Sequence, residues 1–416
     1  MAITAPLRRR DFRLLWTGMA VSLLGDGIFL VAVAWEAYRI SDHPSALAYV
    51  GLATSVPQVA LLLLGGAVSD RISRRTVLFW ADALRALALL GLTVLVAAGV
   101  ASLLELCLAG AVIGTATAFA SPAFDSLVPQ LVPEAELTQA NAIDQSIRST
   151  AMQLAGPALG GIAVAVLQPS GAFGLDAASF AFSAFCVHRM APPPGTEPAE
   201  SSVRHDVFEG LRYVRSRVWL WGTFASATLT YLLFIGPTQV LLPYVIRNSL
   251  HRGASAYGVV LAVGGLGALA GALLAGRGRD PKRPMAWIYG WWTVATLAVA
   301  GYGLATSTWG LAAAALVVNG AEAVGAVAWG ALKQRRVANE MLGRVSSVDW
   351  CISTALLPLS YALTAPVAQA LGAQRTLVMS GVLGAVVTLG FLFLPGMQAE
   401  DPPAPPAAVA AGTQTR

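Results

Sequence analysis

The sequence predicts an all-α membrane protein of about twelve transmembrane helices, arranged as two groups of six. Composition is the first observation: 56% of the 416 residues are hydrophobic and 12% are charged, about half the charge of an ordinary soluble domain. The mean hydropathy is +0.65. Segment length is the second. The chain divides into roughly twelve apolar runs of about 20 residues, the length a helix needs to cross about 30 Å of hydrocarbon. Barrel strands are shorter and alternate, and open strands leave backbone groups unpaired in lipid. The third observation is that basic residues collect in alternate loops.

Taken in order, the first group of spans is Phe12–Tyr38, Ala46–Val68, Thr76–Val100, Leu103–Ser121, Asn141–Leu167 and Ala172–His188. Arg8, Arg9 and Arg10 precede an apolar run that continues past Asp26 to Tyr38. That run is too long for the core of a cleavable signal and is read as the first span. The second group is Trp219–Val245, Ala256–Ala275, Met285–Ala305, Trp309–Ala331, Val345–Leu371 and Leu377–Leu394. Expected domains are a bundle over 1–190, a cytoplasmic linker over 191–218, a second bundle over 219–395 and a disordered cytoplasmic tail over 396–416. Within the linker, His205–Arg217 has helical spacing and one basic face, the pattern of an amphipathic helix on the inner leaflet.

With the N-terminus inside, inner loops receive Arg71, Arg74, Arg75, the basic residues from Arg189 to Arg217, and those of 277–283 and 333–344. Outer loops keep Arg39, Arg247, Arg252 and Arg375. The asymmetry places both termini in the cytoplasm. It also accounts for the net charge of +5 without a nucleic-acid partner. Cys107, Cys186 and Cys351 are scattered through apolar runs, with neither disulfide nor metal spacing. His43, His188, His205 and His251 stand at span ends or in loops, so no metal or other cofactor is expected and a membrane enzyme is disfavoured. No Gly-rich Lys-Ser/Thr loop is present to bind ATP.

Charged residues inside the spans are the candidates for transport. Gly18, Ser22 and Asp26 follow at four-residue steps on one face of span one. A carboxylate at bilayer depth costs about 3 kcal/mol or more unless hydrated, paired or protonated. Asp26 is therefore either a proton or cation site or a carboxylate fixed by helix termini or another span. Asp82 and Arg85 are spaced to pair in span three, as are Asp144 and Arg148 at the inner end of span five. The first pair is either structural or a switch that opens when Asp82 gains a proton. Asn319, Glu322 and Trp329 form a polar and aromatic stripe on span ten suited to an amphipathic cation; Glu322 serves either coupling or a hydrogen bond to another helix. Thr223, Ser226 and Thr230, and Ser353, Ser360 and Thr364, line a cavity or pack helix to helix.

Gly65 through Arg75 connects spans two and three, and Gly66, Asp70, Arg71, Arg74 and Arg75 resemble the loop signature of the major facilitator superfamily. Ser73 stands where that family often has a second glycine. Ser121-Pro122-Ala123, Leu131-Val132-Pro133-Glu134, Ala140-Asn141-Ala142 and Gly156-Pro157-Ala158-Leu159-Gly160-Gly161, with Gly25-Asp26 and Asp82/Arg85, resemble the branch holding enterobactin exporters and macrolide/tetracycline efflux pumps. The resemblance implies a monomeric secondary transporter of a bacterial inner membrane, working by alternating access between two six-helix halves. Its partners would be protons, lipid and a small-molecule substrate. Export of an amphipathic drug, siderophore or secondary metabolite is the first expectation; import of a small polar nutrient is the alternative. In that family Gly156, Pro157, Gly160 and Gly161 resemble the antiporter motif, although Met152 replaces an upstream glycine. The loop resembles a conformational lock, with Asp70 reaching the N-terminal end of span eleven near Arg344–Ser347.

Overall fold

The structure, a computed structural model, describes residues 5–69, 72–133, 136–191, 203–277 and 282–398. After a short 3-10 turn at Ala5–Arg8, the helices are α1 (Arg10–Ile40), α2 (Ser45–Ser69), α3 (Arg74–Ala97), α4 (Leu103–Leu131), α5 (Leu137–Arg148) and α6 (Gly156–His188). Then come α7 (Val203–Arg215), α8 (Val218–Tyr244), α9 (Ala254–Arg277), α10 (Pro284–Ala298) and α11 (Ala300–Leu304). The last are α12 (Thr308–Arg336), α13 (Asn339–Thr354), α14 (Leu357–Leu371) and α15 (Ala373–Leu392).

Among the described residues, ten helical stretches are long and apolar enough to cross a membrane. One of them, Thr150–His188, holds two spans. At Gln168 the backbone leaves the helix (φ 62, ψ 170) and Pro169 follows. The chain reverses there: Gly156 lies against Gly27, and Ser179 returns to Gly25 at nearly the same level of α1. Span nine, α10 with α11 interrupted at Val299, completes the twelve. The protein is thus an all-α, twelve-span membrane protein. Span eleven is also interrupted, between Thr354 and Leu357, just before Pro358.

In lipid, helices gain little from apolar burial against one another, so close packing of small residues takes over. In the first half α1 packs on α6, α2 on α4, and α3 on both α4 and α6. In the second, α9 and α10 pack on α12, and α8 and α10 on α15. The halves meet through α6 with α9 and α2 with α14. Near the end of α1 the Tyr38 hydroxyl donates to the Val240 carbonyl at 2.5 Å. Arg247 pairs with Asp42 at 3.5 Å and donates to the Trp35 carbonyl at 3.4 Å.

The linker helix α7 does not lie free on a surface. Val214 is buried in the cluster containing Trp219, Val345 and Val348, Gly210 sits against Arg344 and Val348, and Glu209 pairs with Arg344 at 2.7 Å. Its other edge keeps Phe208 71% exposed. One edge therefore docks on α13, leaving a narrower apolar strip outside than the helical spacing implies. Within the stretch expected as a tail from residue 396, Met397 is fully buried, packed on Gly222. Residues 192–202 and 399–416 lie outside the described residues.

Candidate functional site

Two cavities open among the spans. The first, about 470 Å³, is walled by α1 through Leu15, Ser22, Asp26 and Phe29, by α2 through Thr54 and Gln58, and by Asp82 and Arg85 of α3. Gln239, Tyr257 and Tyr361 of the second half close it on the far side. It therefore lies between the halves.

Ser22 and Asp26 share the cavity face of α1, as their spacing predicts. Gly18, on the same stripe, faces Ser183 and Cys186 of α6 instead. Asp26 lines the cavity and, among the described residues, has no hydrogen-bond or ion-pair partner. Asp82 and Arg85 do meet, at 3.5 Å. Asp82 also accepts from the Ser183 hydroxyl at 2.6 Å, while Arg85 donates to the Thr117 hydroxyl at 2.9 Å and sits 5.0 Å from the Phe180 ring. The pair is anchored on α4 and α6 at once. Arg148 pairs with Asp144 at 2.9 Å, stacks over Phe124 at 5.2 Å and reaches the same cavity.

The second cavity, about 460 Å³, belongs to the second half. Asn319, Glu322 and Trp329 all line it, together with Trp292, Tyr231 and Phe234. Thr223, Ser226, Thr230 and Ser353 also face it; Ser360 and Thr364 instead pack tightly against Gly236 of α8. Asn319 bonds back to the Ala315 carbonyl at 2.9 Å. Glu322 is open to the cavity and, among the described residues, has no hydrogen-bond or ion-pair partner, so no Ser or Thr of another helix holds it. Trp329 is fixed by its neighbours: rings of Trp219, Phe224 and Trp292 surround it at 5.6–6.2 Å, and its Nε1 donates to Asp349 at 3.2 Å.

Sequence reasoning missed two acids. Asp349 joins Lys333 at 2.7 Å and accepts from the Ser353 hydroxyl at 3.1 Å; its place near the start of span eleven disguised it as a surface group. Asp176 is 1% exposed in α6, and an acid inside the run Ala172–His188 carried the same signal that singled out Asp26.

The motif residues have separate fates. Gly66 lies in α2, whereas Asp70 and Arg71 lie outside the described residues, as does any contact of Asp70 with span eleven. Arg74 begins α3. Arg75 reaches across to the end of α6, donating to the Val187 carbonyl at 3.0 Å and to that of His188. It so caps orphan carbonyls at a helix C-terminus. Gly156 packs on the α1 backbone at Gly27, Gly160 on Ile28, and Gly161 on Gly258 of α9. Before Pro157 the helix widens into a π turn, Ser149–Ala155, as expected where proline removes a donor from the helical ladder. Among the described residues, no group of three His, Cys, Asp or Glu side chains is placed to hold a metal.

Residues 1–408 match the family described as transmembrane secretion effector. A 276-residue stretch is 30% identical to the uncharacterized MFS-type transporter y4rN of Sinorhizobium fredii, covering 64% of this chain and 66% of that one. The match thus spans just under two thirds of that relative. The multidrug efflux pump Tap of Mycobacterium tuberculosis is 27% identical over 372 residues, 85% of either chain. A bacterial homologue of the iron transporter ferroportin, in an inward-facing state, superposes with a TM-score of 0.70 over 92% of this chain and 98% of its own, at 17% identity; this likeness speaks for the fold alone. The chain belongs to the transmembrane secretion effector family of MFS-type membrane transporters.

Proposed function

We propose that this protein exports an amphipathic compound from the cytoplasm in exchange for protons. The observation that carries the reading is the pair of acids without a partner among the described residues: Asp26 in the wall between the halves and Glu322 among aromatic rings in the second half. An acid left without a partner in such a wall is free to trade a proton for a cationic or amphipathic ligand. The name of the Tap relative, a multidrug efflux pump, favours a drug; a siderophore or secondary metabolite fits the same chemistry. Both termini face the cytoplasm of a bacterial inner membrane on this reading, and the protein works as a monomer.

The energetics are sufficient. One charge moving across 100 mV supplies about 2.3 kcal/mol, and each tenfold gradient of substrate requires about 1.4 kcal/mol. The test uses everted membrane vesicles from an expressing strain, energised by respiration and loaded with ethidium outside. Ethidium accumulation that collapses on adding a protonophore is expected. Accumulation indifferent to the protonophore, or none with either ethidium or a macrolide, overturns the proposal.

A further inference from the structure

Behind the cavity wall, in the second arm of the α6 hairpin, lies a carboxyl with no use in the function described so far. Asp176 is 1% exposed. The Ser179 hydroxyl is shared between the Asp176 carbonyl at 2.8 Å and its Oδ1 at 3.1 Å, and Oδ2 is buried with no hydrogen-bond partner. It is pressed against α1 where Gly25 leaves room: a Cβ on Gly25 would collide with Asp176 Oδ1 and with Ser179. The next residue, Asp26, opens into the cavity.

Among the described residues, the charges facing Asp176 are few. From α1 comes Asp26, and from α3 comes Arg85, itself paired with Asp82. Arg85 is already engaged with Asp82 and Thr117 and makes no ion pair with Asp176. The α9 helix, packed on the first arm of the hairpin, carries no acid. An ionised carboxylate enclosed this way, one oxygen wholly unbonded, carries a larger desolvation cost than a neutral carboxyl in the same place.

We propose that Asp176 is a second proton-carrying group, loaded in this conformation, and that Asp26 is its door to the cavity. The proton leaves Oδ2 for water at Asp26 or for the Asp26 carboxylate. Both electrons of the O–H bond stay on Asp176, and the new anion faces Arg85. Gly25 is what brings the two acids together, since any larger residue there would force α1 and α6 apart. The role in transport rests on the proton-coupled reading above, but the proton itself is observable without transport.

The test is infrared spectroscopy of the full-length protein in lipid at neutral pH, following the C=O stretch of protonated carboxyls and its hydrogen–deuterium exchange. Wild type is expected to show such a band, and Asp176→Asn to lose it. Ser179→Ala, which keeps the acid and removes its donor, is expected to shift the band. Asp26→Asn is expected to keep the band while slowing its exchange severalfold. Absence of the band from wild type, or its persistence unshifted in both Asp176→Asn and Ser179→Ala, overturns the proposal. Unchanged exchange in Asp26→Asn overturns the route through Asp26. Should Asp176→Asn fail to insert, the Ser179→Ala shift decides alone. A band that behaves as expected beside an absence of proton-driven ethidium uptake would sink the transport reading and leave the proton site standing.

Discussion

The cavity between the halves and the cavity inside the second half have nearly the same volume, about 470 and 460 Å³, but opposite chemistry. The first is bordered by two ion pairs, Asp82 with Arg85, anchored on the Ser183 and Thr117 hydroxyls, and Asp144 with Arg148. The second is bordered by stacked aromatics, with one ion pair, Lys333 with Asp349, at its edge. Among the described residues, each wall leaves one acid without a hydrogen-bond or ion-pair partner, Asp26 in the first and Glu322 in the second. The contrast teaches that one fold can separate two tasks. On the proposed function, paired charges hold a proton site in a fixed field, while aromatic faces accept ligands of varied shape. On that reading, the first half times the cycle and the second half recognises the cargo.

Substitutions on the two walls should therefore fail in different ways. The largest effect is expected from Asp26→Asn, which should reduce proton-driven ethidium uptake in everted vesicles about tenfold or more, the size of one lost coupled charge, with unchanged amounts of protein in the membrane. Full activity in that variant would erase the distinction between the walls. Glu322→Gln should instead weaken ethidium binding roughly tenfold, about 1.4 kcal/mol, and leave the binding of a neutral ligand unaltered; fluorescence titration of the purified protein separates the two. Equal losses for both ligands would mean that Glu322 shapes the cavity rather than reading charge.

Smaller effects test the scaffold. Lys333→Met strands Asp349 without its cation and should lower unfolding stability by about 1–3 kcal/mol, whereas the double variant with Asp349→Asn should lose less than the sum of the singles. Additive losses in denaturation would show the pair to be energetically idle. The smallest effect lies outside the membrane. Arg9 holds the Glu136 carboxyl below the usual carboxylate range through their hydrogen bond at 3.0 Å. A depressed acid contributes stability above its unfolded value, and the contribution fades as pH falls through the folded one. Glu136→Gln should accordingly lower the melting temperature slightly at neutral pH and not at all in strong acid. A difference that grows in acid would contradict the pairing.

Much of the scaffold was legible in the sequence because lipid sets a length. Apolar runs cannot hide at that scale, and the Gln168-Pro169 break fell in the gap left between spans five and six. Asp26 and Glu322 stood out because an acid in a long apolar run has few innocent explanations. Asp176 obeys the same rule, an acid inside the apolar run Ala172–His188. Others could not be read at all. Nothing near Arg75 shows that it grips the end of α6, whose carbonyls lie more than 110 residues away. Asp349 looks solvated from its neighbours alone and is claimed by Lys333 only once α12 and α13 are folded. The linker helix had the composition of a surface strip, yet Gly210 lets α13 approach and Glu209 finds Arg344.

Where α6 crosses α9, main chain rests on main chain, Gly161 against Gly258 with the Pro157 carbonyl beside it. A joint of this kind has no rotamers to reshuffle when it turns, so friction there comes from the backbone alone. If the two halves roll over each other, this bare crossing is the natural bearing. Its smoothness would then be inherited from what the chain omits at two positions, and a single methyl at either would act like grit.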